Sequence, residues 1–162
     1  SLFLTGLAMS TLSDSLTRSD LIGVWQLVDF KAVSVEDGQS IDPFGSGPVG
    51  TLVYTEGGNM LVSLSHKERS HISGPSPAVS GPSDEVAKAY ATYDAYSGRF
   101  RVDEAAGLVF HDVVIDRVPN NMSTTKIRRV TLDGNFLTLS TVKSVPAYEK
   151  NWILSLSWKR IE

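Results

Sequence analysis

Along most of the chain, apolar and polar positions alternate with period two, the spacing of strands that bury one face. In Trp152–Ile161, Trp152, Leu154, Leu156 and Trp158 share one face while Ser155, Ser157 and Lys159 share the other, so the even face is expected inward, with Arg160 beside it near the strand end. Asn59–Ser65 sets Met60, Val62 and Leu64 against Ser63 and Ser65. With Gly23–Val33, Gly50–Thr55, Gly98–Asp103, Leu108–Val118, Thr124–Leu132 and Phe136–Val142, the pattern predicts eight strands. Eight is the smallest number that closes a barrel with room for one small ligand. Turns rich in Gly, Asp and Asn at Glu56–Asn59, Asp103–Gly107 and Asp133–Asn135 predict hairpins and hence an up-and-down antiparallel order.

Two segments depart from this pattern. Ser13–Ile22 is expected to form a short N-terminal helix, with Ser13 or Ser19 as its cap. Ser65–Ser83 is dense in Ser, Pro and Gly, and the run after it, Asp84–Tyr96, predicts a helix capped by Ser83 and ended before Gly98. Val86, Tyr90 and Tyr93 fall on one face of that helix. A long loop and helix inserted between strands is where barrels carry a lid, so this pair is expected over the mouth.

Composition narrows the class. At 162 residues with 41% apolar and 20% charged side chains, the chain suits one globular domain, placed at residues 21–162 after an extension at 1–20. Met9 is expected to be the native start; a native extension is the alternative for residues 1–8. The formal charge of −3 lacks the basic cluster that nucleic acid requires, and the short apolar run Leu2–Ala8 is a poor membrane anchor. The absence of cysteine removes disulfides and thiolate chemistry and favours the cytoplasm. Monomer and homodimer both remain open.

The segment Leu21-Ile22-Gly23-Val24-Trp25-Gln26-Leu27-Val28 carries the G-x-W signature that opens the first strand of lipocalins and related calycins. Further along come Asp42-Pro43-Phe44-Gly45, Pro48–Thr55, Ala95–Phe100, Val109–Val113, Pro119-Asn120 and Arg128–Gly134. In that order they resemble the lipocalin-like domain of bacterial and fungal proteins without disulfides, often encoded beside natural-product enzymes. One departure is Asn121-Met122, where the resemblance leads one to expect Trp. The resemblance implies an all-β calycin barrel around an apolar pocket, with Trp25 closing one end and Arg160 or Arg129 packed over its ring. It also implies cofactor-independent cyclase or isomerase chemistry of the pericyclase kind for some members.

The residues themselves suggest a binding set and a smaller chemical set. Trp25, Tyr54, Met60, Tyr93, Phe100, Trp152, Leu154 and Trp158 are candidate ligand-binding residues, the aromatics supplying walls with polar handles and Met60 an adaptable surface. His111 shares a face with Val109, Val113 and Ile115, opposite Asp112 and Asp116, and is expected inward. There it is either a hydrogen-bonded core residue or, with Tyr96 and Arg128, a catalytic group that polarises a ligand carbonyl. His66 and His71 read as exposed loop residues. No hydrolase elbow, phosphate loop, dinucleotide fingerprint or metal-ligand spacing occurs, so no cofactor or metal is expected. An isomerase or cyclase and a carrier of a small apolar metabolite both remain compatible with these residues.

Overall fold

In the computed structural model the residues described are 15–162, which leaves the expectations about Met9 and the start of the N-terminal helix outside them. The elements in chain order are a 3₁₀ turn, Arg18–Leu21; β1, Gly23–Ser34; β2, Ser40–Ile41; β3, Val49–Tyr54; β4, Asn59–Ser65; and α1, Ser83–Ala91. They continue with β5, Tyr93–Asp103; β6, Leu108–Asp116; a second 3₁₀ turn, Pro119–Asn121; β7, Thr125–Asp133; β8, Phe136–Thr141; β9, Val145–Ala147; and β10, Lys150–Arg160. Each long strand pairs antiparallel with the next, and β1 joins β10, so eight strands close a barrel while β2 and β9 extend its rim. This is the closed up-and-down barrel that the alternation and turns predict, and the architecture that the lipocalin-like resemblance implies.

One end of the barrel is sealed by Trp25. Its indole N–H donates to the Leu21 carbonyl at 2.9 Å, and the Arg160 guanidinium lies 4.2 Å from its ring centroid. Arg160, opposite Trp25 in the ladder, also donates to the carbonyls of Ile22 (2.6 Å) and Asp20, which ties the 3₁₀ turn across the barrel end. Arg129 lies exposed on β7 and takes no part. Gly23 of the G-x-W signature has φ +137°, and a Cβ there would stand 2.3 Å from the Glu162 carbonyl oxygen and 2.8 Å from Arg160 Nη1. Only glycine lets the chain end and the arginine come this close.

Two bulges set which residues face inward. Between Leu27 and Asp29 the β1–β10 register slips by one, so the inward set changes from Trp25 and Leu27 to Phe30, Ala32 and Ser34. The slip between Ser97 and Gly98 leaves Val114 of β6 without a partner. Beyond it the faces of β6 exchange: Ile115, expected inward, is 63% exposed, and Asp116, expected outward, is buried. Gly98 permits the distortion, because a Cβ there would lie 2.0 Å from the Asp112 carbonyl oxygen.

The helix expectation needs correction. α1 ends at Ala91, and Tyr93 and Tyr96 lie in β5, which starts five residues before the expected Gly98. The strand wins because Tyr93–Ser97 finds a complete ladder along Leu61–Ser65 of β4. Ser83 is the first helical residue and Pro82 takes the cap position. At the other end of the chain, Thr17 rather than Ser13 or Ser19 precedes the helical turn, and its N–H donates to the Asp20 carboxylate at 2.8 Å.

Candidate functional site

The half of the barrel away from Trp25 encloses a cavity of about 90 Å³. Leu154, Leu156 and Trp158 of β10 line it, with Leu52, Val62 and Leu64 of β3 and β4, and Phe30 and Leu139 complete the apolar wall. The opposite wall is polar: Asp94 and Tyr96 from β5, His111 from β6, and Lys126 and Arg128 from β7. Asp94 and Lys126 are second in their strands and Leu64 is next to last in its own, so the cavity opens at the end opposite Trp25. Larger depressions lie beside α1 and across the outer faces of β5 and β6, and neither His111 nor Tyr96 lines them.

His111 is the centre of the polar wall. Its Nε2 lies 2.7 Å from the Tyr54 hydroxyl and its Nδ1 2.8 Å from the Tyr96 hydroxyl, so both ring nitrogens are occupied by phenols. Burial, reinforced by the charges of Arg128 and Lys126, pushes the imidazole pKa down to about 3, and the ring is neutral at physiological pH. Burial likewise raises the Tyr54 phenol well above its ordinary value and the Tyr96 phenol to about 12. The three groups form a neutral hydrogen-bonded relay.

The polarity of that relay follows from enclosure. Tyr54 is 1% exposed, and His111 Nε2 is the one partner of its hydroxyl among the described residues. If Nε2 carried the proton, the buried Tyr54 O–H would have no acceptor, a cost of about 1–3 kcal/mol. Tyr54 therefore donates to Nε2, and Nδ1–H donates to the Tyr96 oxygen. The Tyr96 proton is left free to donate, on a residue that lines the cavity.

The charges around the mouth are mostly paired. Lys126 Nζ lies 2.8 Å from the buried Asp116 carboxylate and 3.8 Å from the centre of the Tyr96 ring. Burial alone would raise the Asp116 carboxyl, but the Lys126 ammonium and the Val118 N–H outweigh it and hold it below the usual range. Asp94 stands 3.4 Å from Arg117 Nε, yet burial raises its carboxyl against the pull of Lys126 and Arg117. Arg128 donates to the Ile127 carbonyl at 3.0 Å, and no carboxylate pairs with it among the described residues.

The candidates of the sequence separate into groups. His111, Tyr96, Arg128, Leu154 and Trp158 meet at the cavity. The indole N–H of Trp158 is buried without an acceptor among the described residues. Tyr54, Met60 and Phe100 lie in the core next to it, Tyr54 acting on the cavity through His111, while Trp25 is at the closed end. Trp152 is buried outside the lining, its N–H donating to the Ala147 carbonyl in the β9–β10 hairpin. Tyr93 lies on the outside, its ring 5.2 Å from the Arg69 guanidinium.

Sequence reasoning missed Asp94, Asp116 and Lys126. Val130 and Leu132 mark the inner face of β7, and the same parity carries Lys126 and Arg128 inward, a signal available in the alternation. The expected lid does not reach the cavity: α1 buries no residue and lends none to the lining. Phe44, in the loop before β3, packs instead edge-on against Phe30 at 5.4 Å and against the half-buried His66 at 5.0 Å. His71 is exposed beside α1, and Met122, in the loop where the resemblance expects Trp, is largely exposed.

A closed eight-stranded barrel with an Arg160-covered Trp25 at one end and a cavity at the other is matched by the family description "Lipocalin-like domain" over residues 22–161. The chain belongs to that family. It is also similar to the 4'-hydroxy-3'-methoxypropiophenone carrier protein ppsC of Aspergillus oryzae, 35% identical over 89 residues that make up 51% of this chain and 80% of that relative. Among the described residues of this lipocalin-like protein, no helix is long and apolar enough to cross a membrane.

Proposed function

We propose that this lipocalin-like protein reversibly holds a small aromatic metabolite whose oxygen acceptor meets the Tyr96 hydroxyl. The observation that carries this reading is the Tyr54–His111–Tyr96 relay, which ends in a free donor against a wall of Phe30, Leu154, Leu156 and Trp158. A neutral relay suits holding, because it lends a directional hydrogen bond without a charge to desolvate. The relative named for carrying an aryl ketone supports the same class of cargo. At about 90 Å³ the cavity is smaller than the ~150 Å³ that holds benzene, so a ring enters by displacing side chains at the mouth. The lack of cysteine fits work in the cytoplasm, with barrel closure resting on Trp25 and Arg160.

A second reading, cofactor-independent isomerisation or cyclisation, is favoured by Asp94, whose raised carboxyl shares the cavity with Tyr96. There Asp94 would remove a proton next to a carbonyl while Tyr96 donates to the developing enolate oxygen.

Propiophenone and propylbenzene, which differ by the carbonyl, separate these ideas in one titration followed by intrinsic tryptophan fluorescence, to which the cavity-lining Trp158 contributes. Carrying predicts saturable one-to-one binding with the ketone favoured about 5- to 10-fold, a preference lost in Tyr96→Phe. Equal affinities would remove Tyr96 from ligand recognition, and absence of saturable binding would overturn the pocket reading. Exchange of the ketone α-protons in D₂O that depends on Asp94 would support catalysis; exchange at the background rate would exclude that enolisation.

A further inference from the structure

The polar wall holds one cation more than it neutralises. Lys126 is matched by Asp116 and Arg117 by Asp94, both pairs lying at the mouth. Arg128 lines the same cavity two residues further along β7, and among the described residues its guanidinium hydrogen-bonds only to a neighbouring backbone carbonyl. A guanidinium lining a cavity with no carboxylate paired to it among the described residues is an incomplete ion pair, and its planar fork suits a delocalised oxyanion. Tyr96, whose free proton comes from the relay, lines the cavity with it and offers a second donor.

We infer that the cavity is selective for small aromatic molecules bearing a delocalised organic oxyanion, a carboxylate, enolate or acyl-phenolate, with Arg128 as the counter-cation. This deepens the carrier reading and rests on it. Burial keeps Tyr54, His111 and Tyr96 uncharged, so the relay neither competes for Arg128 nor repels the ligand. The apolar wall accepts the ring, and the oxyanion stays at the mouth end beside Arg128. A neutral ligand of the same shape would leave the guanidinium unpaired.

trans-Cinnamate and trans-cinnamamide test this directly, since they share ring, chain and size and differ in charge. Calorimetric titration of the full chain at pH 7 should show cinnamate bound about tenfold or more tightly than the amide, the span of a charge-assisted hydrogen bond. Arg128→Met should bring the two affinities together, chiefly by weakening cinnamate, and a cooperative denaturant transition with an unaltered circular dichroism spectrum reports that the variant is folded. Arg129→Met, which removes an equal charge from the outer face of the same strand, should leave the preference intact. Equal binding of the two ligands by the unaltered protein would overturn the inference and spare the carrier reading. A preference that Arg129→Met weakens as much as Arg128→Met would overturn it too, because the effect would then be one of net charge. Failure of both ligands to bind would bring down the carrier reading with it.

Discussion

The two ends of the barrel use the same residue types for opposite purposes. At the closed end an aromatic and an arginine, Trp25 and Arg160, satisfy each other and the carbonyls of the 3₁₀ turn. At the open end an aromatic and an arginine, Tyr96 and Arg128, retain a free proton and a free charge. Completeness is the difference: the first pair finds its partners within the chain, and Arg128 finds no carboxylate among the described residues. Under the proposed function, stability concentrates at one end and recognition at the other.

The largest expected effect lies at the closed end. Trp25→Ala should lower unfolding free energy by about 3–5 kcal/mol, as removal of a fully buried large aromatic does. If the ends are independent, propiophenone affinity of the folded fraction changes less than twofold. A variant that keeps its stability and loses binding would reverse the division.

The next effect is a pH dependence. The imidazole of His111 falls to about 3 from an ordinary value of 6.5, so between those values the unfolded chain binds a proton that the folded chain does not. Stability is then fully present above pH 6.5 and is lost as pH falls, at up to about 1.4 kcal/mol per pH unit. Denaturant unfolding at pH 6.5 and 5, compared with His111→Phe, isolates this contribution, because the carboxylates that begin to titrate toward pH 5 are common to both proteins. Parallel pH profiles for the two proteins would mean that His111 titrates freely.

The smallest effect is expected at α1, which the sequence made a lid. Val86→Ala on its half-exposed face should leave ligand affinity within about twofold and stability within about 0.5 kcal/mol. A slower ligand release rate in that variant would restore a gating role to the helix.

How much of this was legible depended on whether a residue's meaning was local. Period-two alternation places Met60, Leu154, Trp158 and His111 inward without knowledge of their neighbours. The partners of His111 are 57 and 15 residues away and belong to it through ladder register, which a list of aromatics does not contain. Asp116 was assigned to the wrong face because one unpaired residue, Val114, reverses the parity after it. Tyr93 fits 3.6 residues per turn with Val86 and Tyr90, and Tyr96 falls before the expected stop at Gly98, so the local pattern extends the helix through both; the ladder offered by β4 outweighs that preference.

Recognition at the open end depends on a neutral His111 that transmits a proton order from buried Tyr54 to cavity-facing Tyr96. The most direct measurement is ¹⁵N NMR of the His111 ring between pH 5 and 8, in the free protein and with propiophenone. The ring is expected to stay neutral throughout, with Nδ1 protonated and Nε2 bare, and to shift at Nδ1 when the ligand occupies Tyr96. A ring that gains a proton in this range, or one that carries its proton on Nε2, would contradict that proton order.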